Sequence, residues 1–306
     1  MAVVTSDFLA GVFTNFRALW QDAFLAAQAT VLYPRLSLEV QSQTLTETYN
    51  WLGTVPTMKL WVDQRQHQGM YPFNYSLTNN HYEVTIDVDR DTFEDDRLGM
   101  VAPRISQLGL EAPRFADFTA VSALDAGATA GNLSYDGVTF YNASHITGSN
   151  GAQTNLYTAT GQTLALLQAD FAGAKAQLRK VKDDQGRPMN QVPNIMLVPP
   201  ELEQVGAQLL NASFMPIAGI GSGANTFMGQ ADLVVSAYLT SATAWHLLAT
   251  NQVVKPLIFQ NRKAPEFVGV DRPDAPAVFE MRKFSYGVDS RFTVGYGAWE
   301  TAIKVA

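Results

Sequence analysis

The stretch YPFNYSLTNNHYEVTIDV, residues 71–88, places apolar side chains at alternate positions over an unusual length. A period of two is typical of β-strands, and the Asn-rich connection at residues 78–81 divides the pattern into two halves. The stretch therefore predicts a long two-stranded hairpin. Because an isolated hairpin is only marginally stable in water, we expect its aromatic face to lie against the same chain or another copy.

The segments on either side of this hairpin show both helical and extended patterns. Apolar residues at spacings of three and four predict an amphipathic helix over residues 6–27. The polar stretch at 39–48 is interpreted as an extended arm, and residues 216–229 as a loose stretch. Further helices are expected at 115–126, with an earlier turn from Asp95 onward as an option, and at 162–181 and 200–211. Further strands are expected at 138–141, 195–198, 233–236, 279–286 and 292–296.

The composition suggests that less of the surface than usual is exposed to water. The 306 residues are 47% hydrophobic and only 16% charged, against about 25% charged in an average soluble domain. No window approaches the ~18 consecutive apolar residues of a membrane-spanning helix. The N-terminus also lacks the pattern of a secretory signal. We therefore expect a cytoplasmic protein with no membrane partner.

Most of the net charge of −7 lies in one segment. Residues 83–96 carry seven acids and one base, which gives a local charge of −6. No basic face is available for specific nucleic-acid binding, which normally needs clustered Lys and Arg. The densest basic group, at residues 179–187, also contains two aspartates and is interpreted as a solvated helix end and loop.

Motifs of catalysis or metal binding are not found. The spacing of Asp87, Asp89 and Asp91 resembles the start of an EF-hand loop, but Thr92 stands where glycine is needed and Leu98 where glutamate is needed. Walker, Gly-x-Ser-x-Gly and His-Glu-x-x-His sequences are absent. The chain has no cysteine, which excludes thiol nucleophiles and cysteine-ligated zinc. The sequence predicts no catalytic, cofactor-binding or metal-binding residues.

His145 has two interpretations. Its closeness to Asp136 in the sequence suits a metal ligand or a general base as well as a structural hydrogen bond. A metal site needs several convergent ligands, and the other histidines are scattered singly. We favour the structural hydrogen bond.

Eight separated blocks of the sequence form a recognisable pattern. They lie at residues 49–53, 56–65, 79–83, 95–99, 135–145, 193–202, 255–262 and 286–299. In their order and spacing over roughly residues 48–301, these blocks resemble the major head subunit (T protein) family of phage Mu and Mu-like prophages, and only together are they specific. Two positions depart from the family pattern: Tyr141 replaces an expected Phe, and residues 214–229 lack an Asn-Pro segment.

The resemblance implies an α+β protein with the Hong Kong 97-type capsid fold. Its parts would be an N-terminal arm at 1–50, an E-loop β-hairpin at 51–90, a peripheral domain with a spine helix, and an axial domain. The peripheral domain would comprise residues 91–149 and 266–306, and the axial domain residues 150–265.

The resemblance also implies a function. The chain would be the major capsid protein of a tailed bacteriophage or Mu-like prophage, forming hexamers and pentamers of an icosahedral shell around double-stranded DNA. Implied partners are other copies of the chain, a portal protein, the packaged DNA by non-specific contact and, as an option, a decoration protein. An encapsulin-type shell that holds protein cargo is the alternative with the same fold. A soluble enzyme is the alternative from a different class.

Three expectations concern assembly. The family-like block begins at Tyr49, which leaves no room for a long scaffolding segment before it, so we expect a separate scaffolding protein. Lys59 is the only lysine before Lys175, and its apolar setting argues against a covalent Lys–Asn crosslink. Aromatic side chains of the arm and the hairpin are the predicted intersubunit contacts. They are Phe8, Phe16, Trp20, Trp61, Tyr71, Phe73, Tyr75 and Tyr82.

Overall fold

The computed structural model describes residues 6–53, 74–89, 99–146, 150–217, 221–270 and 276–306. The helices within these ranges are α1 (Ser6–Gln28), α2 (Tyr33–Leu36), α3 (Val101–Asp125), α4 (Leu164–Lys180), α5 (Glu203–Leu210) and α6 (Pro276–Met281). The strands are β1 (Ser37–Gln41), β2 (Thr46–Tyr49), β3 (Tyr75–Thr78), β4 (Asn80–Asp89), β5 (Leu156–Tyr157), β6 (Ile195–Val198), β7 (Phe214–Ile217), β8 (Gly221–Ala224), β9 (Asp232–Val235), β10 (Trp245–Leu248), β11 (Leu257–Val270), β12 (Lys283–Tyr296) and β13 (Ala302–Val305).

The first sheet has the strand order β1-β11-β12-β4. The long strands β11 and β12 pair antiparallel, β4 pairs antiparallel with β12, and β1 runs parallel to β11. Helices α1 and α3 pack against each other and against this sheet. Their shared core includes Phe16 and Trp20 of α1, Ile105 of α3, and Phe284 and Tyr286 of β12. This unit therefore combines residues from both ends of the chain.

The second sheet has the order β5-β13-β10-β6-β9. Strands β6 and β10 are buried along their whole length, as expected for central strands covered on both faces. Helix α4 contributes Leu167 and Phe171 to a core shared with Trp245 of β10 and Ile303 of β13. The sequence prediction of α4, α5, β6 and β9 is confirmed to within three residues.

A third core cluster joins the two sheets. It contains Phe259 and Tyr296 of the first sheet, Ile195 and Leu248 of the second, and Trp299 between them. Trp299 begins the single-turn helix Trp299–Thr301, which carries the chain from β12 into β13. The boundary expected at residue 265 falls inside β11, and β13 lies in the second sheet rather than the first.

The predicted hairpin at residues 71–88 is wrong in its pairing. Strand β3 pairs with β2, and β4 pairs with β12, so the two halves do not pair with each other. The physical reason is Asn79, whose side chain is buried between them. Its Nδ2 donates to Ser42 Oγ at 2.9 Å, and its Oδ1 accepts from Gln260 Nε2 at 2.8 Å. These bonds to other segments place the two strands in different sheets.

Other differences from the sequence prediction are local. Strands β7 and β8, at 214–217 and 221–224, pair antiparallel and overlap the stretch at 216–229 that was expected to be loose. Residue 279 belongs to helix α6 and not to a strand. Residues 138–141 form no strand beyond a single bridge at Thr139. Helix α3 begins at Val101, between the optional earlier turn from Asp95 and the helix predicted at 115–126, and continues through Pro113.

Gly109 lets α1 and α3 approach closely. A β-carbon at Gly109 would lie 2.5 Å from the backbone oxygen of Trp20 and 3.0 Å from the Ala23 β-carbon. Backbone atoms cannot move aside without shifting the helix, so Gly109→Ala is expected to destabilise the subunit by about 1–3 kcal/mol. Gly11→Ala in α1 is the matched control, because a β-carbon there meets no atom of the described residues within 4 Å.

Chemical denaturation of both glycine variants measures the difference. We expect Gly11→Ala to stabilise by up to about 1 kcal/mol, since alanine favours a helix over glycine. Equal effects of the two substitutions would contradict the close packing of α1 on α3.

Candidate functional site

A buried polar cluster around His145 lies where the two sheets meet. His145 Nδ1 is 2.6 Å from Asp136 Oδ2, and its Nε2 is 3.2 Å from Asn155 Oδ1. The orientation of Asn155 is fixed, because its Nδ2 donates to the carbonyl of Phe140 at 2.7 Å. The ring also stacks on Trp299, with 4.0 Å between the ring centroids. His145 therefore makes structural hydrogen bonds, which confirms the favoured interpretation.

Glu300 is the second buried acid of this junction. It follows Trp299 and is only 2% exposed. Burial raises the pKa of its carboxyl to about 7, against the opposing effect of the hydrogen bond from Tyr135. The Tyr135 hydroxyl donates to Glu300 Oε1. Within the described chain, Oε2 has no hydrogen-bond partner.

A second polar cluster lies at the C-terminal end of α3. His246 Nδ1 is 2.9 Å from the Tyr141 hydroxyl, and its Nε2 is 3.9 Å from Asp125 Oδ1. Burial lowers the pKa of His246 to about 3, and the nearby Lys304 adds to this effect. Thr240 donates its backbone N–H to Asp125 Oδ2 at 3.0 Å. The cluster thus holds a neutral imidazole inside the core.

Both clusters connect structural segments and do not form a catalytic arrangement. Their polar side chains are mostly engaged with one another and with the backbone, and their histidines are fully buried. Within the described ranges, no group of three or more His, Asp or Glu side chains is arranged to hold a metal ion.

The ends of β2 and β3 mark the base of the predicted E-loop. The Tyr49 hydroxyl donates to Gln260 Oε1 at 2.7 Å, and the Tyr75 hydroxyl accepts from the backbone N–H of Tyr296 at 2.7 Å. Gln260 lies on β11 and Tyr296 on β12, so both ends are tied to the first sheet. Residues 54–73, between these ends, lie outside the described residues.

The predicted contact residues that the structure describes pack within their own subunit. Phe16 and Trp20 are each 7% exposed. The Phe16 ring lies 5.3 Å from Tyr286, and the Trp20 ring 5.9 Å from Phe267. The side chain of Phe8, together with Trp61, Tyr71 and Phe73, lies outside the described residues. An intersubunit role for these aromatic residues stays a prediction.

The half-buried tyrosines of the predicted set also face the subunit's own core. Tyr75 packs against the cluster that joins the two sheets. The Tyr82 ring lies 4.9 Å from Phe115 and 4.7 Å from Phe292. Both residues keep some exposed surface that a neighbouring subunit would be able to cover.

Sequence reasoning missed a set of exposed apolar side chains. Val253 is 89% exposed and Phe214 is 70% exposed. Leu45, Ile146 and Met281 are exposed as well. Such residues are candidates for contact surfaces when they cluster. Three of them lie in loops, whereas Phe214 begins β7 and Met281 ends α6. In loops and in such short elements, periodicity does not mark a side chain as exposed.

A membrane-spanning helix is not found in the part of the chain that the structure describes.

Comparison with known protein families gives a match over nearly the whole chain. The profile of the family described as Mu-like prophage major head subunit gpT matches residues 9–171, 156–239 and 240–306. The Mu-like prophage FluMu major head subunit of Haemophilus influenzae is 27% identical over all of this chain and 75% of that protein. The major capsid protein of Escherichia phage Mu is 27% identical over 99% of this chain and 75% of that protein.

Solved structures show the same fold. The procapsid of bacteriophage JBD30 aligns with a TM-score of 0.57 and 26% identity, covering 98% of this chain and 75% of that chain. The JBD30 capsid decorated with minor capsid protein trimers aligns with a TM-score of 0.59 and 21% identity, covering 70% of this chain and 93% of that chain. The α+β capsid fold expected from the sequence is therefore confirmed.

Proposed function

Because the chain belongs to the Mu-like prophage major head subunit family, we propose that its copies form the hexamers and pentamers of an icosahedral shell around double-stranded DNA. The family is one of structural capsid proteins and not of enzymes. The observation that carries the proposal is the family match over residues 9–306. An encapsulin-type compartment shares the fold, but the matched family consists of phage head subunits, so this alternative is not favoured.

The division into arm, E-loop, peripheral domain and axial domain is part of the proposal. The first sheet with α1 and α3 corresponds to the peripheral domain, α3 being the spine helix, and the second sheet with α4 and α5 to the axial domain. The strand pairing supports assigning all of β11 to the peripheral domain and β13 to the axial domain. The E-loop leaves this framework after β2 and returns at β3.

We place the E-loop across an adjacent subunit. Its aromatic residues then have an apolar surface to cover, and its base is held rigidly on the first sheet through Tyr49 and Tyr75. Burial of apolar surface between subunits also accounts for the low fraction of charged residues.

Phe73→Asp tests this placement of the E-loop. The new carboxylate would be buried without a partner at the interface, which is costly, so we expect soluble subunits in place of closed shells. Asn74→Asp is the matched control, because Asn74 is exposed and the same charge there stays in water. Sedimentation and electron microscopy distinguish shells from subunits. Normal shells from Phe73→Asp would show that Phe73 makes no intersubunit contact.

The proposed partners rest on the family resemblance. They are a separate scaffolding protein, a portal protein and DNA bound by non-specific contact. A decoration protein is an additional candidate, because the similar JBD30 capsid is decorated with minor capsid protein trimers. The net charge of −7 suits a DNA container, since a wall that bound DNA tightly would oppose packaging and release. We place assembly in the host cytoplasm.

The mature shell is expected to lack covalent Lys–Asn crosslinks. Lys59, the sole lysine before Lys175, lies outside the described residues, and its apolar sequence setting fits a strand better than an exposed tip. Denaturing electrophoresis of mature particles should give a monomer band near 33.5 kDa. A ladder of covalent oligomers that disappears in Lys59→Ala would contradict this expectation.

A further inference from the structure

Glu300 occupies an unusual position between the two sheets. It lies in the turn Trp299–Thr301, which joins β12 of the first sheet to β13 of the second. Tyr135, on the loop that follows α3, is its hydrogen-bond partner. At this junction the chain itself passes from one sheet to the other, and the side chain of Glu300 also contacts a separate loop.

The surroundings of Glu300 favour its neutral form. The carboxylate of Asp136 is the nearby acid, and its charge opposes a second negative charge on Glu300. The His145 ring, which acts in the opposite direction on Glu300, already pairs with Asp136, with 2.6 Å between Nδ1 and Oδ2. Burial keeps the Tyr135 pKa well above its ordinary value, with Asp136 and Asp184 acting in the same direction, so its hydroxyl stays protonated and donates.

Glu300 also borders a cleft of about 670 Å³. The charged side chains of Asp183 and Arg187 line this cleft, together with Gln191 and Ala298. Glu300 Oε2 is nevertheless buried and has no hydrogen-bond partner within the described chain. An ionised oxygen in that place would be left without a donor, which is costly in a core. A small opening of the junction toward the cleft would hydrate it.

We propose that Glu300 is a pH-sensitive latch: its protonated form keeps the two sheets closed against each other, and its ionisation opens their junction toward the cleft. The latch operates within one chain and therefore does not depend on assembly. Its direction follows from linkage. Because burial raises the pKa of Glu300 to about 7, the closed state holds a proton that the hydrated, open state releases at lower pH. The equilibrium constant for opening increases as pH rises toward 7 and stays nearly constant above pH 7.

Amide hydrogen exchange at pH 6 and pH 8 tests the latch. After correction for the intrinsic pH dependence of exchange, opening at residues 130–146 and in β13 should increase about tenfold from pH 6 to pH 8. Glu300→Gln removes the titrating group and should abolish this increase. Strand β6, which is fully buried and separated from β13 by β10, serves as the internal reference, and Glu201→Gln as the matched substitution at an exposed carboxyl.

Two results would overturn the proposal. One is hydrogen-exchange protection at the junction of the wild-type protein that does not change with pH. This result is obtained without any variant. The other is a Glu300→Gln protein that keeps the wild-type pH dependence. Either result would leave the capsid assignment intact, since the assembly of shells is measured separately.

Discussion

Trp299→Ala is expected to destabilise the subunit by about 3–5 kcal/mol, the usual cost of truncating a fully buried tryptophan. Trp299 has no exposed surface. It stacks on His145 in parallel, with an interplanar angle of 2°. It also belongs to the core cluster that joins the two sheets. The substitution therefore removes packing from both sheets at once and leaves His145 without its stacking partner.

Denaturant unfolding of the unassembled subunit measures this effect. Trp51→Ala is the matched control, because Trp51 is 42% exposed and its truncation leaves no closed cavity. We expect a much smaller loss for Trp51→Ala. Similar losses for the two tryptophan variants would contradict the role of Trp299 as the packed link between the sheets.

His246 is expected to make the subunit sensitive to acid. Burial lowers its native pKa from 6.5 to about 3, so the unfolded chain binds a proton between these values and the native protein does not. The contribution of neutral His246 to the free energy of unfolding is therefore fully present above pH 6.5 and is lost as pH falls toward 3. At 1.36 kcal/mol per pKa unit, the loss is about 4–5 kcal/mol.

The effect is isolated by comparing wild type with His246→Gln at each pH. The unfolding free energy of wild type minus that of His246→Gln should become smaller as pH falls from 6.5 to 3. His81→Gln is the control, since the His81 side chain is 52% exposed. A wild-type protein that loses no more stability than His246→Gln in acid would show that His246 is not held neutral.

Local periodicity predicted most of the elements, but not their partners. The period of two in residues 71–88 identified both β3 and β4, and the sequence offered the Asn-rich connection as a turn. In the structure the side chain of Asn79 bonds to Ser42 and Gln260, which are distant in sequence. No local pattern reveals such long-range bonds, so the hairpin was the natural but incorrect choice.

The contacts at the junction between the sheets are even harder to predict from the sequence. His145 and Asp136 are close along the chain, and their pairing was anticipated. Glu300 and Tyr135 are 165 positions apart, and no spacing rule connects them. The expected boundary at residue 265 falls inside β11 for a related reason, because the period-two pattern of such a strand does not say which sheet it enters.

The candidate contact residues show the limit of reasoning from aromatic content. An aromatic side chain that must be buried can be buried by its own subunit or by a neighbour, and sequence does not distinguish the two. Phe16 and Trp20 pack on the first sheet of their own subunit. The exposed Val253 and Phe214 stand out only once the fold is known.

Electron microscopy of purified native particles tests the central claim most directly. The account predicts closed icosahedral shells that contain double-stranded DNA, with this chain as the main protein of the wall. Shells filled with a cargo enzyme in place of DNA, or a small oligomer that forms no shell, would contradict it.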